Sequence, residues 1–120
     1  MSALSTYLEN KLVDHVLRNT AYTTPGTSVY VGLVKYYIAD TLEAGTLTEE
    51  ASGGSYARVQ VTAWDAASNG ATANTSAITF PTATGDWGMI SGVIISDAAS
   101  AGNVLLHGSL TTARDVKNGD

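Results

Sequence analysis

The chain has 120 residues, of which 44% are apolar and only 14% charged, with six Lys and Arg against eleven Asp and Glu for a net charge of −5. That length supports one domain with its own core, and the apolar share is that of a folded chain rather than a disordered one. Six basic residues make no clustered patch for nucleic acid or for an anionic membrane, and the absence of cysteine excludes disulfides and thiolate metal sites.

No basic start followed by an apolar stretch opens the chain, so no signal peptide is expected, and no apolar run reaches the ~18 residues of a membrane span. Ser, Thr, Gly and Ala take the place of charge. Such a surface packs against other subunits at little desolvation cost.

The first segment reads as a helix over residues 2–18. Leu4, Leu8, Leu12 and Val16 recur at the helical period, with Val13 and Leu17 beside them. Ser2 or Ser5 can cap its start, Glu9 suits the positive end of the dipole and Arg18 the negative end. Asn19 and Thr20 end it, and Pro25 followed by Gly26 forbids continuation.

From there the period falls to two. Residues 28–37 read as a strand with Val29, Val31 and Leu33 on one face and Tyr30, Val34 and Tyr36 on the other, so burial on both sides is expected. Residues 39–55 read as a polar connection that ends in Ser52, Gly53, Gly54 and Ser55, a strong turn signal. Gly53 and Gly54 are therefore assigned as a structural turn. Residues 56–64 form the next predicted strand, with Ala57, Val59, Val61 and Ala63 inward and Arg58, Gln60 and Thr62 outward. A loop around Asn69 and Gly70 leads to a strand over 75–80 that Pro81 ends. Strands over 89–96 and 104–111 pair as a hairpin across the small-residue link DAASAGN. The whole predicts a mainly β single domain: an antiparallel β-sandwich or small jelly-roll-like barrel with one N-terminal α-helix.

Candidate chemistry is sparse. His15 reads as a helix-surface or packed residue. His107, in LLHGSL, alternates with Leu106 and is expected exposed or at an interface, with no Ser or Asp singled out as its partner. The adjacent Glu49 and Glu50 read as solvated charge rather than a glycosidase pair. Asp40, Glu43, Glu49 and Glu50 do not follow calcium-loop spacing. The Gly53–Gly54 stretch lacks the lysine of a phosphate-binding loop and precedes a strand. Asn74, Thr75 and Ser76 fit a glycosylation sequon, a match too common to carry weight. No catalytic, cofactor or metal site is predicted. The aromatic residues carry more. Tyr36, Tyr37 and Ile38 are consecutive, so at least one must point away from the core. With Trp87 in the Gly-rich stretch Gly85–Gly88, they are the candidate subunit or partner interface; the alternative for Trp87 is a second core layer or the cover of a barrel end.

The blocks LSTYLENKLVDHVLRNTAYT, SGGSYARV, AITFPTATGDWG and NVLLHGSLTT with VKNGD, in that order along nearly the whole chain, resemble a family of small tailed-bacteriophage proteins. Its members are usually labelled tail fibre or head fibre proteins. Where that family reads VYVALF and a short Pro-containing turn, this chain reads VYVGLVKYYIADTLEAG, a longer and more aromatic connection. The resemblance implies a virion structural protein and not an enzyme. A lone small domain without a fibrous region fits a capsid decoration or cement protein on the outer capsid surface. Its partners would be the major capsid protein, sister subunits of a homo-oligomer such as a trimer, or both, with no nucleic acid and no membrane. The alternative is a tail-fibre or baseplate component involved in host attachment.

Overall fold

The structure, a computed structural model, describes residues 2–120. The elements are β1 (Ser2–Leu4), α1 (Thr6–Leu17), β2 (Tyr30–Val34), α2 (Ala39–Glu43), β3 (Val59–Gln60), β4 (Gly88–Ser96) and β5 (Val104–Val116). The strands form one antiparallel sheet in the order β1-β5-β4-β2-β3. The chain is thus mainly β and antiparallel, with a helix near its N-terminus. All five strands lie in a single sheet, and α2 and loops, rather than a second sheet, supply the covering layer.

The hairpin of β4 and β5 is the spine. Apolar and small residues alternate along β4, burying Ile90, Gly92, Ile94 and Ser96 on one face. The 97–103 link closes the hairpin, with the Asn103 N–H donating to the Asp97 carboxylate at 2.8 Å. β5 runs past the predicted residue 111 to Val116. It resumes pairing after an irregularity in which residues 110–113 face the single residue 91. That bulge leaves Leu110 against the buried group of Ala51, Ala83, Trp87, Ile90 and Val116.

The helix starts later than the apolar spacing predicts. Ser5 turns the corner: its backbone is extended, its N–H donates to Leu105 O at 2.9 Å, and its hydroxyl donates to Val104 O. The Ser5 hydroxyl oxygen also accepts the Leu8 N–H at 3.2 Å, so Ser5 is the N-cap. Residues 2–4 consequently pair with β5, Leu4 opposite Leu106, instead of opening the helix. Leu4 sits at a helical interval from Leu8 by coincidence of spacing.

Three predicted strands shrink. The 28–37 strand keeps only Tyr30–Val34, because the Tyr37 N–H turns to the Ser91 hydroxyl at 2.8 Å. The 39–55 connection contains α2, whose buried Leu42 packs with Val34, Ile94 and Val104. The 56–64 strand reduces to Val59–Gln60; Gln60 and Thr62 face outward and Val59 and Val61 are half-buried as predicted, but Arg58 is buried while Ala57 and Ala63 are exposed. Residues 75–80 form no strand. Asn74 instead bridges to Trp64, and Ser68 to Ala71 around the Asn69–Gly70 turn, which makes 61–79 a narrow two-stranded arm. Each of residues 65–77 is exposed.

Candidate assembly surface

Two buried polar clusters hold the covering layer on the sheet. In the first, Arg58 donates from Nε and Nη2 to the two carboxylate oxygens of Glu50, at 2.7 and 2.8 Å. Its Nη1 donates to Ser96 Oγ, Ala98 O and Ala101 O at 2.8–2.9 Å. The Tyr56 hydroxyl donates to Glu50 at 2.8 Å and accepts the Leu33 N–H at 2.9 Å. Burial pushes the Tyr56 phenol well above its usual range, and the Glu50 carboxylate holds the Arg58 guanidinium above its own. Every polar group of the cluster is occupied internally, so this is a clasp between the 50–58 segment and the β4–β5 link. Glu50 is accordingly not the solvated charge that its position beside Glu49 suggests.

In the second cluster, His107 is 2% exposed, against the expectation of an exposed or interfacial residue. Its register partner is Ile94, on the covered face of the sheet. Nδ1 lies 2.8 Å from the Tyr37 hydroxyl and Nε2 lies 3.1 Å from Glu43. The triad ties the aromatic connection and α2 to β5. His15 lies on the exposed helix surface, with Nδ1 3.2 Å from Thr20 O. Among the described residues, no group of three or more His, Asp or Glu is placed to hold a metal ion.

Of the predicted interface residues, Tyr36 is 66% and Ile38 48% exposed, while Tyr37 is half-buried in the triad. Trp87 is a core residue, 5% exposed, which fits the second-core-layer alternative rather than a contact surface. Its ring meets Tyr56 edge-on at 5.3 Å, and its Nε1 donates to Gly54 O at 2.8 Å. The Gly53–Gly54 turn is required by that packing. Gly54 has φ +51°, and a Cβ there would sit 2.8 Å from Gly85 O.

The surface that sequence reasoning missed is the other face of the sheet. Cross-strand partners share a face, so the register aligns Val31, Ile95, Leu106 and Leu4 in one row across four strands. Leu33, Val93 and Gly108 form the adjacent row. Neither row holds a charge. Ile95, Leu106, Leu4, Leu33 and Val93 are only half-buried, and the arm covers the face in part through Trp64 and Thr72. On β4 the signal was present as an unbroken apolar pair, Val93 with Ile95, flanking Ile94. A second apolar surface lies on α1, which packs through its buried Leu8 and leaves Val13, Val16 and Leu17 exposed.

A search of the curated proteins finds none that matches the chain. The family model described as podophage GP4 fiber I protein gp80 matches residues 3–120. With that match over nearly its whole length, the chain belongs to this family of phage fibre proteins, structural components of the virion.

Proposed function

We propose that the protein is a non-catalytic subunit of a virion appendage, a fibre or its attachment to the particle, and that it works by assembling with other subunits. The observation that carries this reading is the family match over residues 3–120, joined to a fold whose polar clusters are all internally occupied and whose unsatisfied surfaces are apolar. Uncommitted apolar surface is what an assembly part needs and what a free-standing monomer avoids. The partners in this reading are sister subunits and the virion protein at the base of the appendage.

Capsid decoration is the second reading. It is favoured by the shape of the fold: a single five-stranded sheet without internal repeats makes a clamp more readily than a fibre shaft. The major capsid protein would then be the partner, and the outer shell the location. Gold-labelled antibody on purified particles separates the two. Label confined to the tail or a vertex supports the appendage; label spread over the shell supports decoration and removes the first reading.

A further inference from the structure

We propose that the open sheet face formed by Val93, Ile95 and Leu106, with Trp64 of the arm beside it, is the contact between copies of this chain. The inference rests on the assembly reading and names the surface and the partner.

Three observations point to a second copy. The first is area. A folded monomer of 12.4 kDa should expose roughly 6,100 Å². This chain exposes 7195 Å². The excess, about 1,100 Å² on that scaling, is larger than the ~800 Å² each partner contributes to a standard interface. The second is shape. The molecule measures 48 × 29 × 24 Å, and the arm, exposed throughout residues 65–77, contributes surface without contributing core. An element with so little packing of its own is ordered at a conformational cost that contacts outside the monomer can offset. The third is charge. Copies that each carry −5 repel one another, so an interface between them must be free of charge. Both rows of the sheet face meet that condition, whereas α1 carries Glu9, Lys11, Asp14 and Arg18 beside its apolar stripe.

The test is the oligomeric state of the full chain by sedimentation across a dilution series, for the natural sequence, Val93→Lys, Leu106→Lys and Val93→Ile. Lysine lowers the net negative charge, so weaker association in those variants cannot come from added repulsion between copies. Association of the natural chain at micromolar concentration, weakened at least 100-fold by either lysine and retained by isoleucine, is the expected result. Circular dichroism confirms that the variants are folded. Should they fail to fold, hydroxyl-radical footprinting of the natural chain decides instead: Trp64 and Leu106 become protected on association while Tyr36 does not. A chain that stays monomeric throughout overturns the proposal and leaves the face to a different virion protein. So does association that the lysines leave intact or that leaves Trp64 unprotected. The appendage reading fails separately, by where the antibody label falls on the particle.

Discussion

Removing Arg58 should be the most damaging single change outside the apolar core. Its side chain is 1% exposed and that of Glu50 15%, so Arg58→Ala leaves a nearly buried carboxylate with only the Tyr56 hydroxyl as partner. It also strips the donor from Ser96 Oγ, Ala98 O and Ala101 O, which loosens the β4–β5 link. Breaking a buried pair in this way costs about 3–5 kcal/mol. For a domain of this size that corresponds to a fall in Tm of roughly 10–20 °C. The Arg58→Ala, Glu50→Gln double variant removes the charge imbalance and keeps an acceptor for Tyr56. It should recover part of the loss, with a coupling of about 2 kcal/mol in the cycle. Urea unfolding of the four chains measures this directly. A cost below about 1 kcal/mol for Arg58→Ala, or strict additivity of the two changes, would refute the clasp.

Other changes follow from the same packing. Gly54→Ala should cost roughly 2 kcal/mol or more, from positive φ together with collision at Gly85, whereas Gly53→Ala, with positive φ but open space, should cost about 1; equal midpoints in urea would contradict the difference. Trp87→Phe should lose about 1–3 kcal/mol through the Gly54 hydrogen bond and core volume, while Tyr36→Ser should change thermal stability by less than ~0.5. His107→Leu strips Tyr37 and Glu43 of their shared partner. It should destabilise by about 1–3 kcal/mol and expose the α2 amides first in hydrogen exchange.

The elements read best from sequence were those whose local pattern and tertiary role agree. The β4–β5 hairpin has two short apolar runs joined by a small-residue link, and the centre of α1 has its own apolar stripe. The Gly53–Gly54 turn needs positive φ at both residues, and both are glycine. The misreadings share one cause, a long-range partner that local pattern does not announce. Period-two alternation puts Arg58 outward, yet Glu50, eight residues earlier, draws it inward. Alternation with Leu106 makes His107 read as exposed or interfacial, and the partners that bury it lie 70 and 64 residues away. Leu4 fits a helix and a strand equally, and the Ser5 contacts with β5 decide for the strand. Trp87 in a Gly-rich stretch resembles an exposed anchor until Tyr56 and Phe80 are brought over it by the 51–56 turn and the 80–87 segment. The open sheet face was invisible for the opposite reason. Its residues look like core in sequence, and only the thin cover over them shows that they are not fully used.

The most direct test of the account is the abundance of this chain in purified virions, measured by quantitative mass spectrometry against the major capsid protein. A virion structural protein must be present, in a fixed number of copies per particle that purification does not reduce. Its absence from particles, or an amount that washes away with repeated purification, would contradict the central claim that this protein is part of the virion.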